Sequence, residues 1–239
     1  MTRTNAFPTT TSSLAVCAIA LLVASCGDRT APPSGAAQES TSPEPTPANP
    51  VSVGAASMPS AQYKLLGNES APVRIVEFTD LQCPYCARFA RETFPLLRER
   101  YIDTGKVRFE SVDLPLPMHE FANTAAIAAR CAGEQGHYWD YREKLFDEQN
   151  LLGQKPFTRF AGALGLDIAR FEYCRLQDSQ LKDLDTDRKR ASVLDIHSTP
   201  TFLIGRMVDG RFESETVQGA QPSEVFVARI EKLLASEHL

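Results

Sequence analysis

Two cysteines separated by two residues, Cys83 and Cys86, stand in the stretch TDLQCPYCARFA, which covers residues 79–90. Thiols at this spacing can exchange electrons by forming and breaking a disulfide, or they can hold a soft metal ion such as zinc or copper. They can also brace the fold as a permanent disulfide. The pair alone does not distinguish these roles, so the surrounding sequence has to decide.

The metal-binding alternative recruits His119 or His197 to the cysteine pair and makes the protein a metal chaperone without enzymatic activity. A structural zinc site of this kind usually has a second CxxC pair, and export-side copper proteins often carry Met-rich motifs. The sequence contains neither pattern. We therefore expect no metal and no cofactor besides the Cys83–Cys86 disulfide itself.

Two strands and a helix are predicted around the pair. The run VRIVEFT, residues 73–79, predicts a buried strand, although Glu77 places a charge in it. After Cys83, ARFARETFPLLRER carries apolar residues on one face and arginines on another, which predicts an amphipathic helix kinked by Pro95. KVRFESVDL, residues 106–114, predicts a second strand. This order indicates a parallel βαβ unit.

The rest of the chain changes from helical to extended patterns. Residues 119–194 read as several helices separated by glycines. Strand character returns at 199–204, a turn follows at 208–211, and a short strand is predicted near 216–218. A final helix is predicted at about 222–234. The fold class is therefore α/β, with the order βαβ, a block of helices, then ββα.

The N-terminus predicts export and lipid attachment. The apolar run LAVCAIALLVA, residues 14–24, is too short for a membrane span, which needs about 20 residues, and is typical of a signal peptide. The run leads into Val-Ala-Ser-Cys, which resembles a bacterial lipobox and makes Cys26 the lipidated residue after removal of residues 1–25. An ordinary signal peptide or a short buried helix are the alternatives.

Composition predicts a tethered domain. Residues 26–60 begin with Cys26 and continue as a Pro-, Ser-, Ala- and Thr-rich stretch that has too little apolar surface to fold, so we expect a disordered linker before a folded domain at 61–236. The net charge of −5 and the absence of a basic run argue against nucleic acid as a partner. We expect a monomer in the cell envelope or periplasm, anchored to a membrane by lipid.

Cysteine counting predicts a second disulfide. Of the six cysteines, Cys17 would leave with the signal peptide and Cys26 would carry lipid. Besides the CxxC pair this leaves Cys131 and Cys174, whose wide separation suits a structural bridge between two helices. Two buried free thiols are the alternative.

The segments together resemble the DsbA-like branch of the thioredoxin superfamily, over about residues 63–234. The resemblance is carried by LLGNESAPVRIVEFTDLQCPYC, AARCAGEQGHYWDYREKLF and STPTFLIG followed by VQGAQP. It implies a thioredoxin fold with a helical domain inserted at about 117–195.

The resemblance also implies roles for the CPYC residues. Cys83 would be the attacking sulfur at the start of a helix, where free N–H groups and the helix dipole favour a thiolate. Cys86 would be more buried and would resolve the mixed disulfide. Pro84 suits the first helical turn, and Tyr85 completes the active-site turn where DsbA-like oxidases often carry histidine.

Three further residues receive roles from the resemblance. Pro200 would be a cis-proline facing the cysteines, and Thr199 would offer backbone hydrogen bonds to an extended substrate. Glu77 would be a buried acid beneath the disulfide that exchanges a proton with Cys86. The alternatives are a trans proline at the start of a strand and a glutamate facing water.

These features predict a thiol:disulfide oxidoreductase that forms disulfides in exported proteins. Tyr85 offers no positive charge, which argues against a very strong oxidant. A disulfide reductase or an isomerase with the same site is the alternative, although the linker is too poor in apolar residues to be a dimerisation domain. The implied partners are exported proteins with cysteines and a membrane redox protein that resets the disulfide.

Overall fold

The computed structural model describes residues 51–53 and 61–236. The predicted signal peptide, Cys26 and the linker outside 51–53 lie outside this part of the chain. The strands are β1 (Val51–Val53), β2 (Leu65–Leu66), β3 (Val73–Thr79), β4 (Val107–Asp113), β5 (Thr201–Val208) and β6 (Arg211–Gln218). The α-helices are α1 (Pro84–Glu92), α2 (Phe94–Leu97), α3 (Ala122–Gly133), α4 (Tyr138–Asp147), α5 (Phe157–Ala163), α6 (Ile168–Arg175), α7 (Asp178–Val193) and α8 (Ser223–Ala235).

The sheet has the strand order β1-β6-β5-β3-β4-β2, and β3 lies inside it. β3 pairs in parallel with β4 and antiparallel with β5. Every residue of β3 except Arg74 is buried, because helices cover both faces, and this explains why the strand reads as a nearly continuous apolar run. The predicted βαβ and ββα halves of a thioredoxin fold are confirmed.

Aromatic packing fixes α1 on the sheet. Phe89 of α1 lies 4.4 Å, between ring centroids, from Phe202 of β5, which in turn lies 4.9 Å from Phe226 of α8. All three side chains are fully buried. Because these contacts hold the body of α1 against β5, its first turn is held at the end of β3, where the CxxC pair begins.

The kink expected at Pro95 is a break between two helices. α1 ends at Glu92 and α2 begins at Phe94, with Thr93 between them. Pro95 has no N–H to donate to the carbonyl of Arg91, so the helical ladder is interrupted at this point.

The helices α3 to α7 form the predicted inserted block between β4 and β5. Its core is built from alanines of α3 and large aromatic side chains of the following helices. A disulfide joins Cys131 of α3 to Cys174 of α6, with the two Cα atoms 5.7 Å apart. Covalent linkage across 43 residues therefore ties the first helix of the block to its fourth.

The ββα half is longer than the sequence pattern suggested. β5 continues to Val208 and β6 begins at Arg211, not near Thr216, and the two strands close as a hairpin through Asp209 and Gly210. Both turn residues have positive φ, 49° and 76°, as a tight two-residue hairpin requires. The alternating polar residues of β6 concealed a strand that is exposed on one side.

One segment of the predicted linker is ordered as a strand. Residues 51–53 pair antiparallel with 212–214 of β6, so the expectation of disorder through residue 60 is wrong at these positions. The short β-branched sequence Val-Ser-Val suits an extended conformation, and β6 presents a sheet edge to receive it.

A buried cluster of four charges connects the sheet with the inserted block. Lys64 and Arg130 each contact both Asp113 and Asp187, at distances from 2.5 to 2.9 Å. Their side chains are at most 11% exposed. Two positive and two negative charges balance within the cluster, which joins the segment before β2, β4, α3 and α7.

Candidate active site

The two cysteines of the CxxC pair stand at the first turn of α1. Cys83 is the N-cap residue and Pro84 occupies the first helical position, where its missing N–H leaves no bond unmade. The Cys83 N–H donates to the carbonyl of Asp80, 3.0 Å away, and the Ala87 N–H donates to the Cys83 carbonyl, 3.1 Å away. Both cysteines are free thiols in this structure.

The site is less open to solvent than a reactive pair at a helix start suggests. Only 3% of the Cys83 surface is exposed and none of Cys86, whereas Tyr85 is 56% exposed. Within the CPYC stretch, Tyr85 therefore faces solvent and the two sulfur atoms do not. A partner thiol must approach Cys83 along the protein surface.

The surroundings of Cys83 favour its thiolate. Its pKa is lowered from about 9 to about 5, chiefly by a hydrogen bond from the Cys86 thiol. Burial acts in the opposite direction, while the Thr199 hydroxyl and the backbone N–H groups of Cys86 and Tyr85 lower the pKa further. These N–H groups are free because they belong to the first turn of the helix.

Cys86 behaves in the opposite way. Burial raises its pKa well above the ordinary value, and the neighbouring Cys83 and the Glu77 carboxylate raise it further. The Asp80 N–H donates to the Cys86 sulfur over 3.5 Å. At neutral pH the pair therefore holds one thiolate, on the outer sulfur, and one thiol, on the inner sulfur.

The loop before β5 faces the outer sulfur. The Thr199–Pro200 peptide bond is cis. When it is protonated, the Cys83 thiol donates to the Thr199 carbonyl over 3.5 Å. The buried Thr199 hydroxyl has no hydrogen-bond partner in the described contacts, which leaves it available to the Cys83 thiolate. The Pro200 carbonyl is occupied by the Gly219 N–H at 2.8 Å. The structure thus brings Thr199 and Pro200 to the CxxC pair.

A surface groove of about 650 Å³ runs beside this loop and is lined by Tyr85, Arg88, Thr199, Gln221 and Glu224 among others. Arg88 crosses between its walls, because its guanidinium donates to the Ala220 carbonyl at 2.9 Å and lies 5.2 Å from the centre of the Tyr85 ring. The groove therefore passes Thr199, whose carbonyl accepts from the Cys83 thiol.

Glu77 is fully buried in β3, and its charge acts on the Cys86 thiol, whose pKa it raises. Burial raises the pKa of Glu77 itself, and the positive charge of Arg142 on α4 opposes this effect. The Arg142 guanidinium donates to the Glu77 carboxylate over 2.6 Å. The alternative of a glutamate facing water is wrong, because the strand is covered on both faces.

Three supporting residues were not singled out from the sequence. The Asp80 carboxylate accepts bonds from the N–H groups of Gln82 and Leu116, both at 2.7 Å, and fixes the turn before Cys83. The Gln149 side chain donates to the carbonyl of Cys83 at 3.1 Å. Arg142 is the third. Polar residues in loops and helices carry no local pattern that reveals such long-range partners.

Neither histidine considered from the sequence contacts Cys83 in the described contacts. The His119 ring bonds the Asp80 carboxylate at 2.8 Å, so it acts on the turn before the cysteines. His197 is exposed and pairs with Asp195. Within residues 51–53 and 61–236, no group of three or more histidine, cysteine or acidic side chains is arranged to hold a metal ion.

Comparisons of sequence place the chain among known proteins. Residues 61–220 match a family model described as Thioredoxin. Disulfide bond formation protein D of Bacillus subtilis is 31% identical over 160 residues, which cover 62% of this chain and 70% of that protein. A protein of Salinispora tropica named Na(+)/H(+) antiporter NhaA 3 is 33% identical over 166 residues, or 69% of this chain. The chain spans about a quarter of the length of the antiporter-named relatives.

No helix in the described segments combines the length and apolar character needed to cross a bilayer.

Comparison of structures gives the same result. The crystal structure of alpha-DsbA1 from Wolbachia pipientis superposes with a TM-score of 0.66 at 27% identity, over 72% of this chain and 91% of that chain. Together with the cysteine pair at the start of α1 and the inserted helical block, these matches show that the chain belongs to the thioredoxin family, in its DsbA-like branch.

Proposed function

We propose that the protein catalyses thiol:disulfide exchange through Cys83 and Cys86, and that it forms disulfides in exported proteins. The observation that carries the proposal is the Cys83 sulfur, held at the first turn of α1 beside the Thr199 carbonyl with its pKa lowered to about 5. A thiolate at neutral pH is both the reactive nucleophile and the better leaving group in disulfide exchange.

The reaction follows from the two different sulfurs. A substrate thiolate attacks the Cys83 sulfur of the Cys83–Cys86 disulfide, and Cys86 departs and takes up a proton. A second substrate thiolate then attacks the substrate sulfur of the mixed disulfide and releases Cys83 as a thiolate. The substrate loses two electrons and gains a disulfide, while the protein gains the two electrons and ends as the dithiol.

The oxidising direction is supported by the lowered pKa of Cys83. At pH 7 the thiolate of Cys83 is favoured by the two pH units that separate pH 7 from its pKa of about 5. They stabilise the reduced protein by about 3 kcal/mol, which corresponds to roughly 60 mV for a two-electron couple. A more stable reduced form makes the disulfide a stronger oxidant.

The substrate and partner assignments are part of this proposal. The groove beside Tyr85 and Thr199 is open enough for an extended chain that carries a cysteine. A membrane redox protein would return the protein to its disulfide form, since each cycle leaves Cys83 and Cys86 reduced. Lipid at Cys26 would keep the domain close to that membrane.

Oxidation of a reduced, unfolded test protein measures the activity. Cys83→Ser should abolish it, because no other described sulfur has a lowered pKa. Cys86→Ser should accumulate mixed disulfides, since the resolving thiol is lost. Circular dichroism of both variants controls for folding.

The equilibrium with glutathione gives the direction. An equilibrium constant as reducing as that of thioredoxin, whose potential is about −270 mV, would contradict the oxidase assignment and favour a reductase. Full activity of the Cys83→Ser variant would refute the assignment of the nucleophile.

A further inference from the structure

A buried ion pair connects the inserted helical block to the strand beneath the cysteines. Arg142 stands on α4, and its side chain is 3% exposed. Its guanidinium donates to Glu77 of β3 over 2.6 Å, and the Glu77 side chain is fully buried. Because neither charge reaches water, the Glu77 carboxylate depends on Arg142 for its counter-charge.

Aromatic rings hold the guanidinium in place. Its central carbon lies 4.8 Å from the ring centre of Phe146, 5.3 Å from that of Trp139 and 5.4 Å from that of Phe94. Rings at these distances attract a cation through their faces. Arg142 is therefore fixed from three sides, which restricts it to the geometry that meets Glu77.

Among the residues that the structure describes, the other neighbours of Glu77 do not supply a second cation. The facing positions on the adjacent strands are Ser111 of β4 and Phe202 of β5, which carry no charge. The charged or titratable groups that act on this region are Asp113 of β4, which disfavours the Glu77 anion, and Cys86 of α1. Among the groups that act on Glu77, Arg142 is the one that favours its carboxylate by charge.

We propose that Arg142 is a positioning residue that keeps Glu77 ionised at neutral pH, so that Glu77 can accept the proton of Cys86 when Cys86 attacks. The inference rests on the proposed function of the CxxC pair and adds a residue of the inserted block to it. Arg142 touches neither sulfur and acts through Glu77.

The step concerned is closure of the disulfide. A mixed disulfide joins Cys83 to a partner sulfur. The Cys86 thiol gives its proton to the Glu77 carboxylate, and the Cys86 sulfur attacks the Cys83 sulfur. The Cys83–Cys86 bond forms as the bond to the partner breaks, and the partner leaves as a thiolate that takes a proton from water. Glu77 then returns its proton to solvent, so atoms and charges balance.

Loss of Arg142 should change the rate of this step and its pH dependence. Without the guanidinium, burial and the negative charge of Asp113 both raise the pKa of Glu77, which then keeps its proton to a higher pH. Closure at pH 7 should slow by about tenfold or more, as expected when the pKa of the base rises to one unit or more above the ambient pH, and it should recover as the pH rises. The equilibrium constant with glutathione should change less than about twofold. The ionised Arg142–Glu77 pair of the wild type has no net charge, and the protonated Glu77 of the variant has none either.

The experiment uses reduced protein and glutathione disulfide. Acid quenching at timed intervals, followed by mass spectrometry, measures the decay of the Cys83–glutathione mixed disulfide from acid to alkaline pH. Arg142→Met should shift this profile to higher pH, and Arg142→Lys should largely restore it. Carboxyl NMR of Glu77 should show the same upward shift of its pKa in Arg142→Met.

Arg175→Met is the matched control. Arg175 belongs to the same helical block, lies 5.2 Å from the ring centre of Phe157 and 5.6 Å from that of Phe171, and pairs with Glu172. Its removal disturbs similar packing without touching Glu77, so the pH profile of closure should stay as in the wild type.

A wild-type pH profile in Arg142→Met would overturn the inference, as would an equal shift in Arg175→Met. If Arg142→Met does not fold, the comparison passes to Glu77→Gln and Glu77→Gln/Arg142→Met, which leave no buried carboxylate without a partner. The pH profiles of these two variants should coincide, and a further shift caused by Arg142→Met on the Glu77→Gln background would contradict the proposal. Failure of the proposed function can be distinguished from failure of this inference, because the wild type would then show no thiol:disulfide exchange.

Discussion

At the scale of single residues, the chemistry depends on how differently two neighbouring thiols are treated. Cys83 lies among hydrogen-bond donors and has a lowered pKa, whereas Cys86 lies in the apolar interior and has a raised pKa. Cys83 is therefore the better nucleophile and the better leaving group, and Cys86 reacts after a base has removed its proton.

Thr199→Val tests one cause of this difference. The variant keeps the shape of the side chain and removes the hydroxyl that lowers the pKa of Cys83. A hydrogen bond to a charged group contributes about 1.5 kcal/mol, so the pKa should rise by about one unit. The pH dependence of alkylation at Cys83 measures it. Thr201→Val is the control, because that hydroxyl donates to the Ser198 carbonyl and not to a cysteine; an unchanged Thr199→Val profile would exclude the hydroxyl as a cause.

The sequence identified the residues with local patterns and missed those with distant partners. The CxxC spacing and the proline before a strand are readable within a few residues. Arg142 is different: it lies at helical spacing from Tyr138 and Phe146, both buried, so the pattern places a cation on a buried face. Charge balance could have matched it with Glu77, but only the fold reveals that the two elements meet.

At the scale of elements, a disulfide links two helices of the inserted block. Among the described disulfides and hydrogen bonds, none joins this bridge to Cys83 or Cys86. The bond between Cys131 and Cys174 closes a loop of 43 residues. On the chain-entropy model, such a loop destabilises the unfolded state by about 4 kcal/mol.

Replacing both cysteines of the bridge by alanine should therefore lower the free energy of unfolding by about 4 kcal/mol. Denaturant titration measures this loss. Exchange activity per folded molecule should remain, because Cys83 and Cys86 are untouched. Loss of exchange in a folded variant would show that the bridge has a redox role.

Elements with a clear period were predictable, and those at the sheet edge were not. β3 is buried on both faces and reads as a nearly continuous apolar run, and the apolar residues of α1 repeat with a helical period. β6 has polar residues on its exposed side, and residues 51–53 follow a low-complexity stretch. Pairing with a neighbouring strand stabilises these edge segments, and no local sequence pattern reveals which strand that is.

At the scale of the whole molecule, the buried cluster of Lys64, Asp113, Arg130 and Asp187 links the sheet to the inserted block. Burial alone would raise the pKa of Asp113, but Lys64 and Arg130 outweigh it, so the pKa lies below its ordinary value. A lowered acid pKa contributes stability that is present above the unfolded value, about 3.9, and is lost as the pH falls through the folded value.

Removing one charge from this cluster should be costly. Lys64→Met should lower the free energy of unfolding at pH 7 by about 3–5 kcal/mol, because two buried carboxylates, Asp113 and Asp187, then share the single positive charge of Arg130. Lys232→Met is the control, since Lys232 is exposed and pairs with Glu215 at the surface, where such a pair contributes about 0–1 kcal/mol. Equal losses in the two variants, measured by urea titration, would contradict this role for the cluster.

The central claim is that Cys83 is a thiolate at neutral pH, and the rate of its alkylation as a function of pH tests it most directly. Reduced protein is treated with iodoacetamide, and mass spectrometry reads the modification at Cys83 alone. The rate should rise through an inflection at about pH 5. An inflection near 8.5, the value of an ordinary cysteine, would contradict the account.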